Sequence, residues 1–321
     1  MIEVGISQCL LGQNVRFDGG HRKNNFCTQS LTEKFKFVSF CPEVGIGLPV
    51  PRKPIRLIGS KDNTKAVYSH DYTQDFTDDL QHYARKNRDK LSQLSGFIFC
   101  KGSPSCGVER IKIYNDSDDS ANKKSAQAEK NGTGIFAAEV MKYVPLLPVE
   151  EDGRLNDPLI RDSFIKRVYL YREWQDMMET GLTVHNLLSF HARHKMTLLA
   201  HCQKTYRQIG PKLAKVNKEN IHEIAQAYIT DLMAGLKIPA TRANNANVLM
   251  HLQGFLKQKL DSVDRRELAY TILEYRRGLL PILAPITLLK HHFKHHPDQY
   301  IKQLSYFEPY PGDLAIRVKT L

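Results

Sequence analysis

Three short apolar runs in the first third of this chain each deliver a cysteine. Val4-Gly5-Ile6-Ser7 leads into Cys9, and Phe37-Val38-Ser39-Phe40 leads into Cys41. Gly96-Phe97-Ile98-Phe99-Cys100 leads into K-G-S-P-S-C-G at residues 101–107, which carries Cys106. A short apolar run that breaks at Gly, Ser and Pro reads as a buried strand ending in a tight loop. In an open parallel sheet, ligands bind in the crevice outside the carboxyl ends of the strands. Three thiols placed at three such ends therefore predict one shared site.

Residues 1–150 alternate strand-like with helix-like segments, which favours an α/β layer architecture. Residues 45–54 hold three prolines and are expected to form a rigid loop. Short extended segments are expected around Leu57 and Val67, and a helix over 75–94, where Phe76, Leu80, Tyr83, Leu91 and Leu94 recur at mostly helical spacing. Residues 115–134 are polar and read as a surface excursion. The pattern changes at Asp157-Pro158, an N-cap followed by proline at the first helical position. Helices are expected over 159–179, 183–207, 221–236, 246–259 and 264–277, with 242–245 as a joint between two of them. The expected fold is a Rossmann-like parallel-sheet α/β domain at 1–150 followed by an all-α domain at 151–321.

The longest apolar stretch, residues 278–289, is short and interrupted by Pro281 and Pro285, so it does not read as a membrane span. The first residues lack a basic region and a long apolar region, so no signal peptide is expected and the protein reads as cytoplasmic. In a reducing compartment, six cysteines point to metal or catalysis more than to a disulfide framework. The formal charge is +12. Residues 151–321 carry 25 Lys and Arg against 17 Asp and Glu, and ten of the 13 histidines. That surplus points to a polyanionic partner, nucleic acid.

Cys9, Cys41 and Cys106 are far apart in sequence, so the argument for a metal rests on their shared position at strand ends. Soft thiolates select zinc, Cu(I) or an iron–sulfur cluster. A structural zinc site wants four ligands, whereas a cluster held by three cysteines leaves one iron open for chemistry. Free cysteines are also common as small buried apolar residues, and Cys27, Cys100 and Cys202 are read that way. Glu43, two residues beyond Cys41, is a candidate general acid or base. Ser103 and Ser105 flank Pro104 beside Cys106 and offer hydroxyls. Arg16, Asp18, Arg52 and Lys101 are candidate substrate ligands. Arg193, Lys195, Lys204, Arg207, Arg276 and Lys290 are candidate phosphate contacts in the helical half.

S-Q-C-L-L-G at 7–12, V-R-F-D-G at 15–19, C-P-E-V-G-I-G-L-P-V-P-R at 41–52 and K-G-S-P-S-C-G at 101–107 together resemble the thiouracil desulfidase (TudS-like) domain. The second half resembles the YbgA-like helical domain, through F-H-A-R-H-K at 190–195, A-H-C-Q-K-T-Y-R-Q-I-G at 200–210 and N-V-L-M-H-L-Q-G at 247–254. Their fusion resembles the RudS-type desulfidases, which act on 4-thiouridine in tRNA. The resemblance implies a 4Fe–4S cluster on Cys9, Cys41 and Cys106 whose open iron takes the thiocarbonyl sulfur. Water replaces the sulfur at carbon, with Glu43 and Ser103 as the catalytic pair and no net redox change. Phe17 stands where that family more often has Tyr. Two other functions share these features: a desulfidase for free thiouracil or its nucleotides, and a non-catalytic iron–sulfur sensor that binds nucleic acid.

Overall fold

The computed structural model describes residues 1–115 and 128–312. The chain divides into two compact units, Met1–Asn156 and Asp157–Leu321. The first contains β1 (Ile2–Ser7), β2 (Phe35–Phe40), α1 (Pro42–Gly45), β3 (Ile55–Gly59), β4 (Thr64–Tyr68), β5 (Asp71–Asp75), α2 (Thr77–Lys86), α3 (Arg88–Ser92), β6 (Gly96–Phe99), β7 (Ile111–Tyr114), β8 (Ala128–Gly132), α4 (Ile135–Tyr143) and β9 (Val149–Glu151). The helix expected over 75–94 is thus two helices, α2 and α3, and α2 ends at Asn87, which caps it.

The central sheet has the order β2-β1-β6-β9. Its three pairings are all parallel. β1 lies between β2 and β6, so strand order reverses at β1, and the crevice that such a reversal opens lies beyond its carboxyl end. Cys9, Cys41 and the 101–107 loop follow β1, β2 and β6, the three strands that flank this crevice. The sheet is sealed by aromatics. Phe97 and Phe99 stack with centroids 4.0 Å apart, and Phe136 of α4 packs on both. Burying rings of this size supplies much of the unit's cohesion.

A second sheet, of order β5-β4-β3-β7-β8, was not expected from the sequence. Only β3 and β7 pair in parallel; the other neighbours are antiparallel. Its apolar face holds Leu57, Ala66, Ile111 and Ile113 against Leu80 of α2 and Ile135 of α4. Of the polar excursion expected over 115–134, residues 116–127 lie outside the described residues. Its end is not an excursion, because Ala128–Gly132 is β8, which pairs with β7.

α4 also fixes the 101–107 loop. The amides of Gly134, Ile135 and Ala137 donate to the carbonyls of Gly107, Pro104 and Ser105 at 2.8, 3.1 and 3.1 Å. These are donors that a helix start leaves without intrahelical partners. Gly134 must be glycine for this approach, since a Cβ there would lie 2.6 Å from the Ser105 carbonyl.

The second unit is helical throughout its described residues: α5 (Pro158–Thr180), α6 (Val184–His201), α7 (Gln203–Leu213), α8 (Ile221–Lys237), α9 (Arg242–Gly254), α10 (Ser262–Arg277), α11 (Leu283–His295) and α12 (Gln299–Lys302). Asp157 caps α5 as expected, its carboxylate accepting from the amides of Leu159 and Ile160. The helix expected over 183–207 is two, because Cys202 is extended between α6 and α7. Residues 242–245 are no joint. They form the first turn of α9, capped by Thr241. Pro285 does not prevent α11, since it falls in the first turn, where a proline lacks no needed hydrogen bond. Among the described residues no helix is long and apolar enough to cross a membrane.

This unit buries neutral histidines. His201 is 2% exposed, and its Nδ1–H donates to the Ile238 carbonyl at 2.6 Å, while Nε2 has no partner. Burial pulls its pKa down to about 3, helped by Lys166 and Arg167 and opposed by Asp162. Burial likewise pulls His191 down to about 4. In the unfolded chain both titrate near pH 6.5, so below that pH the unfolded state binds protons that the folded state refuses. Stability is therefore full above about pH 6.5 and falls as pH drops toward 4, by roughly 1.4 kcal/mol per pH unit for each such histidine. Urea midpoints measured from pH 7.5 to 4.5 are expected to fall, and His201→Asn is expected to shallow the slope; a flat profile contradicts this account.

Candidate active site: a thiol-lined cavity at the strand ends

Beyond β1, β2 and β6 lies a cavity of about 290 Å³. Cys9, Cys41 and Cys106 all line it, together with Glu43, Arg52 and Ser103. Three loops separated by up to 97 residues thus converge at one place. Arg16 and Lys101 also line it, as the candidate ligands were expected to; Asp18 and Ser105 do not. Asp18 instead accepts from the Gly20 amide and the Arg16 side chain, which closes a local turn.

Burial raises the Cys41 and Cys106 thiols above their ordinary range. Cys9 is raised as well, first by a hydrogen bond to Cys100 and then by burial. Cys100 was read from sequence as a core residue. It is buried, but its thiol faces the same cavity, beside Cys9 and 3.9 Å from the Arg22 guanidinium. The hydrogen bond from Cys9 pulls Cys100 down. A cysteine that ends a strand cannot be assigned to core or crevice from periodicity alone, because the pleat breaks just there.

Glu43 is held on both oxygens. Arg52 donates to Oε2 through Nε at 2.8 Å and Nη2 at 2.6 Å, and the Ser105 hydroxyl donates to Oε1 at 2.9 Å. Arg52 is 3% exposed at its side chain and also donates to the Val15 and Pro49 carbonyls at 3.0 and 3.3 Å. Its own amide donates to Phe17 at 2.8 Å. Arg52 is therefore a buried strut that ties the 15–17 loop to Glu43. These contacts give it a positioning role beside the ligand role expected for it.

The two serines separate by role. The Ser105 side chain is fully buried behind Glu43 and orients it. Ser103 lines the cavity, and its Oγ accepts from the amides of Ser105 and Cys106 at 3.2 and 3.1 Å. With both lone pairs occupied, the Ser103 hydroxyl hydrogen remains to be donated elsewhere. Ser7, which no sequence signal singled out, accepts from the Cys100 amide at 2.9 Å and hydrogen-bonds Cys106.

Among the described residues no three His, Cys, Asp or Glu are gathered closely enough to hold a single metal ion. Cys9, Cys41 and Cys106 line the cavity instead, with Cys100 beside Cys9. A cubane cluster takes such ligands, since each cysteine binds a different iron. Cysteine sulfur, once deprotonated, is the donor that soft metals and iron–sulfur clusters select.

In the helical unit, Lys204, Arg207 and Arg276 are exposed and belong to no salt bridge among the described residues. The other three candidates are engaged within the fold. Arg193 pairs with Glu173 at 2.9 Å, Lys290 pairs with Glu308, and Lys195 lies 4.6 Å over the Tyr300 ring.

A parallel α/β unit with a thiol-lined crevice at its strand ends is the class that this fold and cavity define. Residues 4–152 match the 2-thiouracil desulfurase family, and residues 195–311 match a family described as a protein of unknown function (DUF1722). The chain is 36% identical over 157 residues to the uncharacterized protein YbgA of Escherichia coli K12, covering 49% of this chain and 93% of YbgA. It is 30% identical over 160 residues to the uncharacterized protein YbbK of Bacillus subtilis 168, covering 48% of this chain and 98% of YbbK. A solved structure of the 4Fe-4S-dependent thiouracil desulfidase TudS overlaps 49% of this chain and 94% of its own, at 27% identity and a TM-score of 0.37. The chain belongs to the thiouracil desulfurase family in its first unit and carries a DUF1722 unit in its second.

Removing Arg52 would leave the part-buried Glu43 carboxylate without its ion-pair partner, a change that costs about 3–5 kcal/mol for a fully buried charge and less here, where Ser105 still donates to it. Arg52→Met is expected to lower the urea midpoint sharply, and Arg52→Met with Glu43→Gln to recover much of the loss. Equal stability of Arg52→Met and the native chain would show that Glu43 loses nothing when this partner is removed.

Proposed function

We propose that the first unit is a non-redox desulfidase that removes sulfur from 4-thiouridine in tRNA, using a 4Fe–4S cluster held by Cys9, Cys41 and Cys106. The observation that carries this reading is the convergence of those three thiols with Glu43 and Ser103 on one cavity. When bound, a cluster with one open iron supplies a soft Lewis acid suited to a thiocarbonyl sulfur. The reaction is hydrolytic in balance: C=S becomes C=O, water supplies the oxygen, sulfur leaves as hydrosulfide, and no electron is transferred.

This chain's residues handle binding and protons. Ser103 donates its hydroxyl to the pyrimidine in the cavity. Glu43, oriented by Arg52 and Ser105, takes one proton from the attacking water and passes it to the departing sulfur, while the second water proton is released to solvent. Such a group typically contributes about a hundred- to ten-thousand-fold. A base in folded RNA must be extruded or already unpaired to reach such a cavity.

Two observations favour RNA as the substrate carrier: the surplus of 25 basic over 17 acidic residues in 151–321, and the exposed Lys204, Arg207 and Arg276. A second reading, desulfuration of free thiouracil or its nucleotides, rests on the same cavity. The Glu43 carboxylate on the cavity wall favours chemistry over a non-catalytic nucleic-acid-binding sensor.

Anaerobic reconstitution is expected to load about four irons and four sulfides per chain. Alanine at Cys9, Cys41 or Cys106 abolishes loading; alanine at Cys202 does not. Glu43→Gln and Ser103→Ala keep the iron but lose most turnover, followed as loss of thiocarbonyl absorbance, and Ser105→Ala loses less. A stable zinc content with no cluster on reconstitution would sink the proposal.

The carrier is decided by salt. Phosphate contacts release counterions, so the log of tRNA affinity is expected to fall with the log of salt at about −0.7 to −0.9 per contact. Neutralising Lys204, Arg207 and Arg276 together should weaken tRNA binding and flatten that slope while leaving turnover of free 4-thiouracil unchanged. Unaltered tRNA binding in the triple variant would remove these residues from the RNA interface, and turnover of free 4-thiouracil with none of thiolated tRNA would favour the free-base reading.

A further inference from the structure

The helical unit holds a cavity that the desulfuration chemistry does not use. It measures about 270 Å³ and is formed by the start of α7, one face of α9 and the end of α10. Three amide side chains line it, those of Gln203, Asn244 and Asn247, together with Met250 and Arg276. Among the described residues no carboxylate lines it, unlike the cavities beside Asp162 and beside Asp298 and Glu308 in the same unit.

Local sequence builds this arrangement. Cys202 is extended, so Gln203 becomes the first residue of α7. On α9, residues 243, 247 and 250 recur at the spacing of one helix face, and Ala243 and Ala246 contribute only methyl groups there, which leaves room. Asn245 turns inward instead. It is buried, its Nδ2 donates to the Thr241 carbonyl at 3.1 Å, and its Oδ1 accepts from the Tyr306 hydroxyl at 2.9 Å. Of these neighbouring asparagines, Asn245 serves the core, while Asn244 and Asn247 face the cavity. The Gln203 Nε2 donates to the Asn244 Oδ1 at 3.1 Å. That bond orients both amides and leaves the Gln203 Oε1 and the Asn244 Nδ2 for a ligand. The Asn247 side chain makes no hydrogen bond among the described residues.

Charge around the cavity has one sign. Arg276 is exposed and in no salt bridge among the described residues, whereas its neighbour Arg277 pairs with Glu274 at 3.1 Å. Lys204 follows Gln203 in the first turn of α7, Arg207 lies one turn on, and both are exposed. We infer that this cavity takes one unpaired adenine of an RNA chain, its edge read by Asn247 with Gln203 and Asn244, and the phosphate of that nucleotide met by Arg276. The inference rests on the reading of the helical unit as the part that carries RNA. A side-chain amide offers a donor and an acceptor side by side, which matches the N6 amino group and N7 of adenine. Single-stranded RNA is read in this way, through the edges of bases that are not paired. Met250 is 43% exposed and supplies an apolar surface for the face of the ring. The site would give the unit a base preference, which phosphate contacts alone do not supply.

Binding of short fluorescein-labelled homo-oligonucleotides of adenylate, cytidylate and uridylate to the full-length, anaerobically reconstituted protein tests this without turnover. At one fixed salt concentration the adenylate oligomer should bind roughly tenfold tighter than the other two, the discrimination expected of one bidentate amide–adenine pair. Asn247→Ala should remove that preference and leave the salt dependence of all three unchanged. Gln203→Ala should reduce it in the same way. Lys204→Gln with Arg207→Gln should instead weaken all three oligomers equally and flatten their salt dependence, with the ratio between them kept. Equal affinity for the three oligomers overturns the inference and leaves RNA binding by phosphate contacts standing. A preference for adenylate that survives both Asn247→Ala and Gln203→Ala overturns the assignment to this cavity. No binding of any oligomer or of tRNA at low salt overturns this inference and the RNA reading together.

Discussion

The buried ion pair of Glu43 and Arg52 holds the cavity in shape. Arg52 reaches Glu43, Val15 and Pro49 from one guanidinium and Phe17 from its amide. Three chain segments that share no secondary structure are thereby locked at their tips. A buried charge pair is a weak source of stability, because desolvation offsets most of its attraction. Its value here is geometric: it sets one orientation of the carboxylate and leaves Oε1 to Ser105.

The second support comes from α4. Its unpaired amides take the carbonyls of the 101–107 loop, and its Phe136 docks on the aromatic floor of the central sheet. The same helix therefore satisfies its own N-terminus, seals the core and holds the loop that carries Ser103 and Cys106. Loops positioned by a rigid scaffold in this way are the usual place for binding and catalysis. Polar groups in such a loop are fixed without a dedicated core beneath them.

The helical unit follows a different logic. Several of its charged groups are consumed internally, as in the buried pair of Lys166 and Asp162 at 2.5 Å. Arg193 and Lys290 are likewise committed to acidic partners. The net positive charge that faces solvent thus rests on fewer residues than the sequence count implies, among them Lys204, Arg207 and Arg276.

Local chemistry was enough to read some of this protein from its residues. Strand ends at Cys9, Cys41 and Cys106 follow from apolar runs broken by turn formers, and the start of α5 follows from Asp157-Pro158, because caps and breakers act within a few residues. The motifs at 7–12, 41–52 and 101–107 made the family of the first unit legible as well. Tertiary structure decided the rest. Short segments such as β7 and β8 have no periodicity to read and become a sheet only on finding partners. Cys100 faces the crevice, not the core, because β6 ends beside β1. Ser103 and Ser105 are two residues apart and chemically alike, yet one lines the cavity and the other lies behind Glu43. That difference comes from a turn and from a carboxylate 62 residues away, and long-range contacts of this kind leave no mark on the local sequence.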